Sequence, residues 1–290
     1  MILDQFPLIY WINLKRSVTR RRSMANTLTS MQMVHRRFEA VDGREVHLYG
    51  TPHPTLSDAE SACTFSHLLL LRQFLTTNRQ EVIVFEDDVS FQFLQYIPYN
   101  WSQFRASLPP FQAIQLAVTT NYQTSVPCRL TPFDPALYYC SAAYLITRSG
   151  AEQILTTYDA AENLDLSKYE RGEADKVLFS SIKTYTIPFI TYTTTDSTIH
   201  RDHLHIQKLS KHQQLLAWQQ YQHTDLNWGL PITDKPSNGL PELPNFYDEP
   251  VHHHSDNCAC GRAKVYDPPE AIVDFGTLPF DSVDPMPSSQ

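Results

Sequence analysis

The segment Leu8–Leu14 (LIYWINL) carries apolar side chains on both faces, with no two-residue alternation. A strand of this kind needs cover above and below, which favours a parallel sheet between helices over a half-exposed antiparallel one. The next residues agree with that choice. Ser17 can cap a helix running through Arg20, Met24, Leu28 and Met31, positions that fall four, four and three apart and so share one face. Residues 35–41 (HRRFEAV) read as a second short strand, closed by the turn dipeptide Asp42-Gly43. Strand, helix, strand is the opening of an α/β sheet.

The same logic extends down the chain. Ser57 with Glu60 three residues on forms a capping box for an apolar helix over 57–77. Val82–Phe85 is a buried strand, and Ala113–Val118 and Ser141–Thr147 are further strands. Ser149-Gly150-Ala151 opens another helix, and Asp175–Ile182 is expected to be helical. Tyr185–Tyr192 reads as a strand that Pro188 places at a sheet edge. Gln207–Gln222 is a polar, Gln-rich helix candidate. The expected organisation is one α/β domain over 1–205, a helical extension over 206–229, and a Pro-rich, extended or disordered tail over 230–290. No GxxxxGK[ST] and no GxGxxG occurs, which removes the main signal for ordinary ATPase and dinucleotide-binding folds.

Composition narrows the functional classes. With a net charge of −8, the chain lacks the overall basic balance that broad nucleic-acid binding requires, so no nucleic-acid partner is expected. The start MILDQFPLIYWINLKRS has an Asp at position 4, and its apolar run ends in Lys15 and Arg16. It fits neither a signal peptide nor a transmembrane helix, and a soluble, cytoplasmic protein is expected. Five scattered cysteines point to a reducing compartment. Cys258 and Cys260 lie near His252, His253 and His254, a set that could bind zinc, but the spacing matches no common zinc module and an unstructured tail is favoured.

The strand Val82–Phe85 runs directly into Glu86, Asp87 and Asp88. In extended chain, Glu86 and Asp88 point to one side and Asp87 to the other. That places a D-x-D-type pair at the carboxyl end of a parallel strand, the edge where open α/β sheets bind ligands. Two unit charges about 4 Å apart repel by ~4 kcal/mol at an effective dielectric near 20, and a divalent Mg2+ or Mn2+ would offset this. On its own, such a triplet more often solubilises a turn or caps a helix. A second feature supports the ligand reading. Lys15, Arg16, Arg20, Arg21 and Arg22 crowd the junction after the first strand, a suitable seat for a diphosphate at a helix start. Successive helix positions are about 100° apart, so at least one of Arg20, Arg21 and Arg22 faces solvent.

IYWINLKRSVTRR, HRRFEAVDGRE, SDAESACTFSHLLLLRQF and VIVFEDDVSF, in that order, resemble glycosyltransferase family 25. CSAAYLITRSGAEQIL, ADKVLF and DSTIH resemble its later segments, so the likeness covers about residues 7–202. Ala62 stands where the family commonly has Gly, and Phe85 where Leu or Met is commoner; neither change removes a chemical group. The family includes bacterial lipooligosaccharide galactosyltransferases and collagen galactosyltransferases. The resemblance implies a GT-A fold with a mostly parallel central sheet, a D-x-D-like metal site and single-displacement, inverting transfer from a UDP-sugar to a glycan or protein hydroxyl.

On that basis Asp88 is the direct ligand of Mn2+ (or Mg2+), and Glu86 contacts it through water or holds the ribose. Asp87 supports the pair, and His200 is the candidate late metal ligand, with His203 and His205 as competitors. Asp175 is the candidate general base, with Glu173 as alternative; a helix-capping role for Asp175 is about as well supported. Asn13, Leu14, Lys15 and Arg20 are expected to line the nucleotide's base and phosphates, Asp42 and Gly43 to shape its pocket, and Ser66 and His67 to lie near the donor. Cys63 is expected to pack. A haloacid-dehalogenase-like phosphohydrolase needs an Asp nucleophile where Glu86 stands, which disfavours that class. The other alternative is a catalytically degenerate relative that binds sugar or acts as a scaffold.

Overall fold

A computed structural model describes residues 6–97, 100–120, 128–158, 164–193 and 204–222. The expected opening is present. β1 (Ile9–Asn13) is buried at all five positions, α1 (Val18–Ser30) follows, and β2 (His35–Glu39) returns parallel to β1. Ser17 does occupy the N-cap of α1, but its side chain makes no capping bond. Its carbonyl instead accepts from Asn13 Nδ2 at 3.2 Å, which ties the helix start to the strand end.

Next come β3 (Gly50–Thr51), α2 (Asp58–Leu75), β4 (Glu81–Glu86), β5 (Val89–Ser90) and α3 (Trp101–Ser107). The capping box of α2 is complete: Ser57 Oγ accepts from Glu60 N–H and Glu60 accepts from Ser57 N–H. The second half holds β6 (Ala113–Gln115), β7 (Thr119–Thr120), β8 (Thr131–Pro132), β9 (Tyr138–Tyr139) and β10 (Ala143–Thr147). It continues with α4 (Arg148–Thr157), β11 (Leu164–Asp165), α5 (Ala174–Phe179), β12 (Thr184–Thr186), β13 (Thr191–Tyr192) and α6 (Leu204–Gln222).

The main sheet has seven strands in the order β2-β1-β4-β10-β6-β12-β8. Five run the same way, and β10 and β8 are reversed. This is the expected α/β class with a mostly parallel central sheet. Both faces are covered. Ile9, Trp11, Ile83 and Phe85 pack with Met24 and Leu28 of α1, Phe104 of α3 and Trp218 of α6. Tyr10, Ile12, Val82 and Val84 pack on the other face with Phe65 and Leu71 of α2, Ile154 of α4 and Leu178 of α5. Each such side chain contributes roughly 1.5–3 kcal/mol by leaving water, which is why β1 tolerates apolar residues at every position.

Two expectations need correction. Tyr185–Tyr192 is not one edge strand. It breaks into β12 and β13, Pro188 lies between them, and β12 sits inside the sheet between β6 and β8. The Pro188 carbonyl accepts from Trp218 Nε1 at 2.8 Å, so the break is also where α6 docks. The polar composition of α6 conceals a buried stripe, since Ser210, Gln214 and Trp218, four residues apart, are all inside. Gln214 Nε2 donates to the Val118 carbonyl at 2.7 Å and to Ser210 Oγ at 3.0 Å, which ties α6 to the chain just beyond β6. The 230–290 tail with its His/Cys cluster lies outside the described residues. Among the described residues, no helix is long and apolar enough to cross a membrane.

Candidate active site

The carboxyl ends of β1 and β4 open into a cavity of about 620 Å3. Register builds it: Ile12 lies opposite Glu86, so Asn13 comes level with Asp87. Asn13 is buried; its Nδ2 donates to Asp87 Oδ2 and its Oδ1 accepts from Arg37 Nε at 2.9 Å.

The three carboxylates do not divide as strand alternation predicts. β4 ends at Glu86, and Asp87 and Asp88 enter a turn before β5. Past the strand end the two-residue period no longer applies, and both Asp87 and Asp88 reach Arg20 on α1; its Nη2 is 2.9 Å from Asp88 Oδ2. Glu86 turns instead towards α2 and β10. Its Oε1 accepts from Ser141 Oγ at 2.8 Å and lies 3.3 Å from His67 Nε2. The His67 ring is buried, with Nδ1 3.1 Å from the Tyr144 hydroxyl.

These surroundings separate the three acids. Burial opposes ionisation of Glu86, but hydrogen bonds from His67 and Ser141 and the charges of His67 and Arg20 hold its carboxyl below the ordinary value. Burial, then the Glu86 and Asp87 charges, push Asp88 up to about 7 against the pull of Arg20. Burial likewise raises Asp87. Asp88 Oδ1 is buried with no hydrogen-bond partner among the described residues. Three acidic side chains at one cavity, one of them holding an unpartnered oxygen, fit a hard divalent cation.

Asp175 lines the same cavity. It lies within α5 and is not the N-cap, which corrects the capping alternative; Glu173 holds that position, without a capping bond, and pairs with Arg171 at 3.4 Å. Asp175 Oδ2 accepts from Cys140 N–H at 3.2 Å, and Oδ1 accepts from Lys176 N–H at 2.9 Å. Burial raises the Asp175 pKa, opposed mainly by Lys176. Lys176 is itself buried, donates to the Pro135 carbonyl and lies 4.1 Å from the Tyr139 ring centre. Cys140 has φ 96°, a strained value for a residue other than glycine, and its carbonyl accepts from Gln115 Nε2 at 2.8 Å.

Leu14, Arg16, Arg20, Gly43, Ser66 and His67 also line the cavity. At Gly43 a Cβ would come within 3.0 Å of Ala59 of α2, so a side chain there would collide with the helix. Ser66 Oγ is committed internally, accepting from Val41 N–H and donating to the Ala62 carbonyl. Lys15 departs from expectation: it is exposed and outside the lining, while the neighbouring Arg16, also exposed, borders the cavity. Asp42 also lies outside the main cavity. It caps the 3-10 turn Gly43–Leu48 and pairs with Arg16 and Arg44. Of the arginine triplet, only Arg20 enters, and Arg22 is exposed. His200 and His203 lie outside the described residues, as does the side chain of His205.

Sequence reasoning missed Ser141 and Lys176 and left Cys63 as packing, although all three line the cavity. Cys63 and His67, four apart on α2, carried a signal in their shared helix face. Ser141 carried none, because its approach to Glu86 depends on β10 pairing antiparallel with β4.

Residues 6–170, more than half of the chain, match the family described as glycosyltransferase family 25 (LPS biosynthesis protein). The chain belongs to glycosyltransferase family 25. A Bos taurus protein named probable inactive glycosyltransferase 25 family member 3 is 26% identical over 184 residues, 57% of this chain and 31% of that protein. An Aedes aegypti glycosyltransferase 25 family member is 31% identical over 99 residues, 29% of this chain and 16% of that protein. The family 25 chain thus spans less than a third of the length of either relative. Among solved structures, a glycosyltransferase involved in glycosylation of the major capsid of PBCV-1 superposes with a TM-score of 0.32 at 8% identity, covering 72% of this chain and 98% of that one. The inositol-1-phosphate CTP transferase from T. maritima gives a TM-score of 0.34 at 10% identity, covering 71% and 96%.

Proposed function

We propose that this family 25 member is a metal-assisted, inverting glycosyltransferase that moves a hexose, galactose or glucose, from a UDP-sugar to a glycan or protein hydroxyl. The observation that carries the reading is the convergence of Glu86, Asp87 and Asp88 with Asn13 and Arg20 on one cavity that also holds the separately anchored Asp175.

Asp88 and Glu86 are the side chains that would hold Mn2+ or Mg2+. When bound, the cation supplies charge stabilisation to the departing diphosphate. Arg16, Arg20 and the start of α1 supply further positive potential for the same group. Asp87, held by Asn13 and Arg20, keeps the end of β1, the end of β4 and α1 in register. Asp175 is suited to accept the proton of the acceptor hydroxyl, because burial raises its pKa above the ordinary carboxylate value and so makes it a stronger base. Single-displacement transfer needs base and leaving group on opposite sides of the sugar, and the family resemblance supports Asp175 on the acceptor side.

A second reading has specific support. Arg20 already offsets the charge of Asp87 and Asp88, and the Bos taurus and Rattus norvegicus relatives are named probable inactive. Under that reading the chain binds a nucleotide sugar without turning it over. UDP release from UDP-galactose and UDP-glucose with Mn2+, with and without candidate saccharide acceptors, separates the two. Release that stops in Asp88→Ala supports the enzyme. UDP-sugar binding with no release supports the binding protein.

A further inference from the structure

The helix α2 sets Cys63 and His67 four residues apart, one turn of helix, on a face that meets the end of β4. Glu86 ends that strand. A sulfur, a ring nitrogen and a carboxylate oxygen from these three side chains lie within 4.8 Å of one another, and all three residues line the cavity. We propose that Cys63, His67 and Glu86 form a three-ligand site for zinc or a similarly thiophilic divalent cation, with a fourth position open to the cavity.

The donor set argues for the metal class. Thiolate and imidazole with one carboxylate suit zinc, whereas Mg2+ and Mn2+ favour oxygen ligands. Three protein ligands with one open position is the arrangement of reactive or exchangeable zinc sites rather than closed structural ones. The geometry needs little change. Zinc bonds of about 2.0–2.3 Å place tetrahedral ligand atoms roughly 3.3–3.7 Å apart. His67 Nε2 and Glu86 Oε1 are already 3.3 Å apart, which leaves Cys63 to close by roughly 1.5 Å at most, within reach of a side-chain rotation.

The supporting contacts are in place. A metal-binding histidine donates its other ring N–H to a fixed partner, which orients the ring. Here Nδ1 faces the Tyr144 hydroxyl at 3.1 Å and can keep donating to it, while a cation would take the place of the Nε2 proton that bonds Glu86. Ser141 donates to Glu86 at 2.8 Å and orients the carboxylate. Asp87 and Asp88 add negative charge nearby. Because Glu86 is also one of the side chains proposed to hold the hard cation, zinc would exclude manganese and block transfer. That consequence rests on the proposed function; the zinc site does not.

The test is a cobalt titration of the full chain carrying C258S and C260S, which removes the tail thiols. Co2+ bound to a thiolate shows a sulfur-to-cobalt charge-transfer absorption that histidines alone do not produce. One equivalent of this absorption is expected, displaced by Zn2+, lost on Cys63→Ser and retained on Cys140→Ser. His67→Gln should raise the cobalt Kd roughly tenfold or more; if that variant fails to fold, Tyr144→Phe should raise it roughly tenfold to a hundredfold. Absence of the absorption in the parent protein would overturn the site. So would an absorption of equal strength and midpoint in a folded Cys63→Ser protein, or an unchanged Kd in both His67→Gln and Tyr144→Phe.

Discussion

Arg20 Nη2 lies 2.9 Å from Asp88 Oδ2, and the same guanidinium also holds Asp87. One α1 side chain therefore offsets part of the charge of two of the three acids that end β4. This sets up a competition, because a divalent cation bound by Asp88 displaces some of the attraction that Arg20 supplies.

Removing the guanidinium from this pair should expose the repulsion. Arg20→Met is expected to destabilise the protein by about 1–3 kcal/mol in EDTA, less than the roughly 3–5 kcal/mol for breaking a fully buried pair, since the Arg20 side chain is 20% exposed. Mn2+ should recover part of that loss. Urea unfolding in EDTA and in Mn2+ measures both, and equal stability of wild type and variant in EDTA would count against the electrostatic role of Arg20.

The raised Asp88 pKa has a definite sign in stability. Between the unfolded value near 3.8 and the folded value of about 7, the folded state keeps a proton that the unfolded state has released. Stability from this group is therefore greatest at low pH and declines as pH rises from about 4 to about 7. Asp88→Asn removes this titrating group. In metal-free buffer its stability relative to wild type should improve over that window by up to roughly 2–4 kcal/mol. A stability difference that stays constant across urea unfolding at several pH values would contradict the shift.

Much of this was legible in the chain, and the failures have a common cause. β1 and the capping box at Ser57 and Glu60 are local patterns, so periodicity and capping chemistry reach them. What escaped depends on tertiary contacts. The turn after Glu86 brings Asp88 to the same side as Asp87, Ser141 reaches Glu86 only across an antiparallel pair, and Arg16 rather than Lys15 borders the cavity. The polarity of α6 likewise hid a buried tryptophan, because the three buried positions Ser210, Gln214 and Trp218 include two polar residues and barely mark the helix as amphipathic.

That tryptophan ties α6 to the sheet. Trp218 is fully buried against Phe189 and bonded to the Pro188 carbonyl. Trp218→Ala should cost about 3–5 kcal/mol, visible as a lower urea midpoint. A loss under about 1 kcal/mol would mean that α6 contributes little to the core.

The proposed base has its own signature. Asp175→Asn keeps size and shape but cannot take up a proton. Turnover should fall by about 100- to 10,000-fold, with UDP-sugar affinity retained, because the contacts assigned to the nucleotide lie at β1, β4 and α1. Glu173→Gln should change turnover much less. Full activity in Asp175→Asn would transfer the base role elsewhere.

The most direct test of the central claim is calorimetric titration of UDP into the wild-type and Asp88→Ala proteins, each in Mn2+ and in EDTA. If the acids at the end of β4 hold a cation that grips the diphosphate, wild type should bind UDP roughly tenfold or more tightly in Mn2+, and Asp88→Ala should lose that difference while still unfolding cooperatively. Equal UDP affinity of the wild type in Mn2+ and in EDTA would contradict the account.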